Sequence, residues 1–284
     1  MKYIITGATG HLGQHVVQQL SKLTAPQNIR VGIHNPAKAK KFADAGYETA
    51  AVDYNDVDSM VKAFQGTDVV IYIPSITYQV KDRIDEFENS LTAIQRAGVQ
   101  NIVDVSFIAD QPNNPFQMAG YYAYLPARLA SSGLNYAVVK NSLYADPLVP
   151  YLPELIERHN VIYPVGDQAM SFISRQDSAE AIANVAVKPY LRDKEQNYLL
   201  TMSQNYSMAE LSHIMTKVTG KQIGYAPVSV ARFAEIYQDE GDGSELASMY
   251  QAAAMGLMDS VTNDFAHITG HQPQDMEKFL TENY

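Results

Sequence analysis

The feature that most constrains the fold stands at the start of the chain. The run Tyr3-Ile4-Ile5 leads through Thr6 into Gly7-Ala8-Thr9-Gly10-His11-Leu12-Gly13. The run is short, apolar and rich in β-branched residues, so it reads as a buried strand. Residues 12–23 then place Leu12, Val16, Val17, Leu20 and Leu23 on one helical face. Glycines spaced G-x-x-G-x-x-G between a strand and a helix let a pyrophosphate approach the backbone, which side chains would block. Its charge then lies at the helix N-terminus, where free N–H groups and the dipole favour anions. Gly13 would let the helix pack closely on the strand. A lone glycine triplet is a weak signal. Here strand, helix and position agree, and the motif predicts a dinucleotide site; the alternative is a glycine-rich turn that binds nothing.

The pattern that follows supports a sheet around this loop. Residues 29–33, 49–52, 69–73, 101–106 and 136–139 read as strands, and 37–45, 57–64, 84–97 and 121–131 as the helices between them. Strands apolar on both faces belong to a parallel sheet covered by helices. The expected fold is α/β, a Rossmann-type doubly wound parallel sheet with a smaller C-terminal α+β lobe. At about 150 residues per domain, a chain of 284 residues allows one large domain with a smaller lobe. Residues 1–188 are assigned to the first, with 146–170 contributing to the substrate lobe, and 189–284 to the second. Pro147, Pro150, Pro153 and Pro164 mark a loop-rich segment. Residues 177–187 read as a helix and 198–200 as a strand. Ser207-Met208-Ala209-Glu210 is a capping box opening a helix to about Val218. Residues 230–237 and 246–255 look helical, and the acidic run Asp239–Glu245 is a solvated loop or a lid.

Composition excludes several functions. There are no cysteines, which removes disulfides, thiolate metal sites and a Cys nucleophile. With 21 basic against 31 acidic residues, net −10, a duplex-binding surface is disfavoured. No apolar stretch approaches the about 20 residues of a membrane span, and the N-terminus has no signal-peptide pattern; a cytoplasmic location is expected. The seven histidines show no metal-binding spacing, so no metal is expected. No Gly-x-Ser-x-Gly elbow marks a hydrolase.

The second strand ends at Ile33-His34-Asn35. An NAD site would place Asp or Glu near there, on the ribose 2′-hydroxyl. This chain offers His34, Lys38, Lys40 and Lys41 instead, which favours a 2′-phosphate and hence NADP(H) over NAD(H); the alternative is a solvated helix start. Asp53 follows the third strand and could bond the adenine amino group, or cap a helix together with Asp56. A substrate pocket belongs at the carboxyl ends of the strands. Pro74, Ser75, Phe107, Tyr121, Tyr122 and Tyr144 are candidates there, although many of the 19 tyrosines must serve packing.

Residues 6–13, then His34-Asn35-Pro36-Ala37-Lys38-Ala39, then Asp53, resemble the atypical short-chain dehydrogenase/reductase superfamily. Ser131-Ser132-Gly133-Leu134-Asn135-Tyr136, Arg175–Ile182, Met208–Leu211 and Val218–Lys221 narrow the resemblance to its NmrA-like group, over essentially the whole chain. That group includes bacterial NAD(P)H:quinone oxidoreductases, and its members often carry the label nucleoside-diphosphate-sugar epimerase. On this reading Gly7, Gly10 and Gly13 hold the pyrophosphate while Thr9, His11 and Leu12 line the loop; His34 and Lys38 contact the 2′ side, Asp53 the adenine, and Asn35 is counted among the cofactor-binding residues. Pro74 and Ser75 would border the nicotinamide ribose. The resemblance also implies a catalytic Ser at the end of the fifth strand, here Ser106, and a Tyr-x-x-x-Lys on the next helix. The Tyr position falls on Tyr122, but the Lys position is Pro126. Without a neighbouring cation a phenol, with a pKa of about 10, is a poor acid–base catalyst at neutral pH. Sugar epimerisation is thereby put in doubt. Hydride delivery to an electrophilic quinone-like or small carbonyl acceptor is less demanding. The expected function is therefore an NAD(P)H-dependent oxidoreductase with a small-molecule electron acceptor, active as a monomer or homodimer. A redox sensor that binds NAD(P) without turnover, and a true epimerase or dehydratase, are the alternatives.

Overall fold

The computed structural model describes residues 1–239 and 243–284. Seven strands form the main sheet: β1 (Tyr3–Ile5), β2 (Ile29–Ile33), β3 (Glu48–Ala51), β4 (Val69–Tyr72), β5 (Asn101–Phe107), β6 (Asn135–Asn141) and β7 (Gln196–Leu200). Their order is β7-β6-β5-β4-β1-β2-β3, and the pairs from β3 through β5 are parallel. The helices threaded among them are α1 (His11–Leu23), α2 (Ala39–Asp44), α3 (Val57–Phe64), α4 (Val80–Arg96), α5 (Ala119–Ala130), α6 (Leu148–Arg158) and α7 (Arg175–Val187). This is the doubly wound Rossmann-type sheet expected from the sequence. Ile4, Ile5, Val69, Val70, Ile71 and Tyr72 are fully buried, as befits central strands covered on both faces.

The chain runs outward from β1 to β3 and then returns to the other side of β1 at β4. Right-handed crossovers therefore put α1 and α3 on opposite faces. The order reverses between β1 and β4, where sheets of this type open a ligand crevice at their carboxyl edge.

The chain divides into two compact units. The first comprises residues 1–106, 124–140 and 175–198; the second 107–123, 141–174 and 199–284. In the second unit, strand pairs of two residues join Leu143–Tyr144 to Phe172–Ile173, Ala169–Met170 to Tyr206–Ser207, and Asn160–Val161 to Gly224–Tyr225. The Ser207 capping box is formed in full, with Gly220 closing that helix in the left-handed region.

The proline-rich segment is a loop only around Pro164; around Pro147, Pro150 and Pro153 it forms a helix. Leu148, Leu152 and Leu155 bury one face of α6. Pro147 is its N-cap, and Pro150 lies in the first turn, where a missing N–H costs no helical bond. Only Pro153 is internal. The acidic run lies partly outside the described residues; its end, from Gly243, begins the helix Gly243–Ala254.

Candidate functional site

In the first unit, the loops after β1, β2, β3 and β4 leave the same carboxyl edge of the sheet. The glycine loop is built for close approach. Gly7 has φ +60°, and a Cβ there would stand 3.0 Å from the Ile73 carbonyl oxygen. Gly13 is tighter: a Cβ would lie 2.3 Å from the Gly7 carbonyl oxygen and 2.6 Å from the Ala8 Cα. Helix and strand can meet here only through glycine. Gly10, the N-cap of α1, contributes no side chain, and no acidic residue lies in the first turn. The first-turn N–H groups of a 13-residue helix thus face the loop without a side-chain cap. This cradle fits a pyrophosphate. Of the loop residues, Gly10 and His11 are exposed, Thr9 is half-buried, and Leu12 is buried.

A second set of contacts extends from this loop. The Gln14 amide donates to the Thr9 and Gly10 carbonyls at 3.3 and 3.4 Å. Lys41 Nζ donates to Gln14 Oε1 at 2.7 Å, so its ammonium is held beside the cradle. Lys40 is instead paired with Asp44 at 2.7 Å. His34 and Lys38 are exposed. The Asn35 side chain accepts from Ala37 N at 3.0 Å and caps the short turn that follows. Asp53 Oδ1 accepts from Asn55 N at 2.9 Å, while Asp56 is the residue that caps α3.

The exit of β4 is clamped against the end of β1. Ile73 N donates to Thr6 Oγ1 at 3.0 Å, and the Tyr54 hydroxyl donates to the Ile73 carbonyl at 2.5 Å. Burial is the main cause that raises the Tyr54 phenol above its ordinary pKa, so it stays a donor. Pro74 and Ser75 follow; the Ser75 hydroxyl donates to Glu86 Oε2 and that of Thr77 to Glu86 Oε1. Ser106 ends the buried stretch of β5. Its hydroxyl, and both oxygens of Asp104 two residues earlier on the same strand face, have no hydrogen-bond partner among the described residues. Burial pushes the Asp104 carboxyl up to about 8.

In the second unit, Phe107, Phe116 and Tyr122 form an aromatic triangle. Ring centroids are 5.5 Å apart for Phe107–Tyr122, 5.9 Å for Phe107–Phe116 and 6.2 Å for Phe116–Tyr122, the last pair stacked at 14°. Tyr121 is fully buried and meets Tyr122 edge-on at 5.2 Å. Tyr144 is half-buried on its short strand. Pro126 lies inside α5, one turn beyond Tyr122. Among the described residues, no group of three His, Asp or Glu side chains could hold a metal ion. No helix there is long and apolar enough to cross a membrane.

Sequence reading did not single out Gln14, Tyr54, Glu86 or Phe116. Glu86 had a usable signal. It lies with Arg83, Phe87, Ser90 and Leu91 on the buried face of α4, and a charge at a core-facing helical position needs a partner.

A sequence profile of the NmrA-like family matches residues 2–280. Quinone oxidoreductase 2 of Escherichia coli (strain K12) is 30% identical over 253 residues, 89% of this chain and 86% of that one. A crystal structure of a nucleoside-diphosphate-sugar epimerase from Staphylococcus aureus is 39% identical, with a TM-score of 0.94 over 99% of this chain and 100% of that one. The triphenylmethane reductase of Citrobacter sp., crystallised with NADP(H), is 25% identical, with a TM-score of 0.92 over the whole of both chains. Glycine cradle, sheet order and full-length match agree: the chain belongs to the NmrA-like family.

Proposed function

We propose that the chain is an NAD(P)H-dependent oxidoreductase that reduces a flat, apolar acceptor of the quinone class. One observation carries the reading: the glycine cradle, closed to any side chain at Gly13 and backed by the uncapped N-terminus of α1. Gly7, Thr9, Gly10, His11, Leu12 and Gly13 hold the pyrophosphate. Lys41, with Lys38 and His34, receives the 2′-phosphate, which makes NADPH the preferred form. Asp53, with one oxygen already in a turn, offers the other to the adenine, and Asn35 shapes the loop beside it. Pro74 and Ser75 border the nicotinamide ribose. When bound, the cofactor supplies a hydride from its nicotinamide ring. The Ser106 hydroxyl donates a hydrogen bond to the acceptor oxygen as it gains charge. Phe107, Phe116 and Tyr122 offer an aromatic surface of the kind a planar acceptor stacks on, and Tyr121 and Tyr144 are further candidates for contact with it. The relatives named for quinone and triphenylmethane reduction support an aromatic acceptor.

The name of the Staphylococcus aureus structure favours a second reading, epimerisation of a nucleotide sugar. That chemistry needs a base to withdraw a hydroxyl proton, and the residue that would assist Tyr122 is Pro126. The test is oxidation of NADPH and NADH by the purified chain with 1,4-naphthoquinone, alongside incubation with a panel of UDP-sugars. Turnover with the quinone, faster with NADPH and without any new sugar, is expected. A new sugar product would establish the second reading, and tight cofactor binding without turnover on any acceptor would make the chain a sensor.

A further inference from the structure

The segment between β4 and α4 alternates between held and open residues. Ile73 is clamped by Tyr54 and Thr6, at 2.5 and 3.0 Å. Ser75 and Thr77 both place their hydroxyls on the carboxylate of Glu86, and Thr77 N donates to Ser75 Oγ at 3.2 Å. Glu86 is 6% exposed, so a buried acid is committed to fixing two hydroxyls of this segment. A second clamp reaches the same place, because Asn89, one turn further along α4, donates to the Tyr54 carbonyl at 3.0 Å. The residues that follow Ser75 and Thr77 face solvent: Ile76 is 83% exposed and Tyr78 40%.

A single exposed Ile is ordinary. An exposed Ile and Tyr at alternate positions of a segment tied down at 73, 75 and 77 are a different matter. A free loop would fold its apolar side chains onto the protein, and here the hydrogen bonds hold them outward. The segment also leaves β4 beside β1, at the reversal of strand order where the crevice opens. We infer that Ile76 and Tyr78 are acceptor-contacting, specificity-determining residues, and that Glu86 is the positioning residue that holds them out through Ser75 and Thr77. This rests on the reductase reading above. The occupant is the apolar ring system of the acceptor, because a cofactor phosphate would need cationic or clustered donors, whereas Ile76 and Tyr78 present a sec-butyl side chain and an aromatic ring.

The test compares Ile76→Ser, Ile76→Leu, Glu86→Ala and Glu86→Gln with the parent chain. KM and kcat are measured for 2-methyl-1,4-naphthoquinone, and Kd for NADPH. Ile76→Ser is expected to raise the quinone KM about tenfold, by loss of apolar contact, with kcat and the NADPH Kd nearly unchanged. Ile76→Leu restores the parent KM. Glu86→Ala raises the same KM and, through Ser75 at the nicotinamide ribose, the NADPH Kd; Glu86→Gln, which still bonds both hydroxyls, recovers most of both, whereas a purely structural role would lower the melting temperature and kcat and leave the quinone KM unmoved. A parent that turns over the quinone with an Ile76→Ser variant of equal KM overturns the inference and leaves the reductase reading intact. So does an Ile76→Ser variant whose one change is a lost dimer, since a second copy would then be the occupant. A parent that oxidises no NADPH with any quinone overturns the reductase reading and this inference with it.

Discussion

Replacing Asp104 with Asn should make the protein more stable at alkaline pH, by a margin that shrinks steadily as the pH falls toward 4. Asp104 is fully buried on β5, in register with Tyr72 of β4, and neither of its oxygens has a partner among the described residues. Burial pushes its carboxyl from the ordinary 3.8 to about 8. The unfolded chain ionises this group near its ordinary value, whereas the folded protein keeps it protonated. Between those two values the native state binds one proton more than the unfolded state, so stability falls as pH rises and levels off above about 8. At about 1.4 kcal/mol per pH unit, the window from 3.8 to about 8 corresponds to about 6 kcal/mol. That is an upper limit, since water reaching the carboxylate relieves part of the cost. Asn keeps the shape and does not titrate. Urea unfolding of both proteins, at intervals from pH 4.5 to 9, isolates the term, because every other carboxylate is common to the two. The difference in unfolding free energy should grow with pH in favour of Asp104→Asn, reaching several kcal/mol at pH 8.5. A difference independent of pH would refute the reasoning.

Two further substitutions probe the cradle. Gly13→Ala puts a methyl 2.3 Å from the Gly7 carbonyl oxygen. It should cost at least about 1–3 kcal/mol of stability and abolish NADPH binding, read by thermal melting and by nicotinamide fluorescence; a normal melt with normal binding would contradict the packing described. Lys41→Ala should weaken NADPH about tenfold, the loss of one charge-assisted hydrogen bond, and leave NADH nearly unchanged; equal losses for both would remove Lys41 from the 2′ side.

Much of the framework is legible in the sequence, because its causes are local. The glycine spacing, the β-branched run before it and the amphipathic helix after it need only neighbouring residues, and the crowding at Gly13 is their physical consequence. The capping box at Ser207 is local in the same way. What escaped was set by tertiary contact. Prolines suggested a loop where α6 forms, because the buried leucines outweigh one internal proline. Lys41 reaches Gln14 across 27 residues of sequence, and no spacing rule joins a lysine on one helix to a glutamine on another. The bond from Tyr54 to the Ile73 carbonyl depends on the loop after the edge strand β3 reaching back past β2 and β1 to the exit of β4. Phe116 joins Phe107 and Tyr122 from an irregular segment that carries no periodic signal.

The most direct measurement of the central claim is a single turnover. The protein, in excess over NADPH and free of oxygen, is mixed with 1,4-naphthoquinone while the nicotinamide absorbance is followed. The account predicts that bound NADPH disappears in one first-order phase, without added flavin or metal, and that NADPH deuterated at C4 reacts more slowly. NADPH that stays bound and unoxidised, or decays no faster than in buffer, would contradict it.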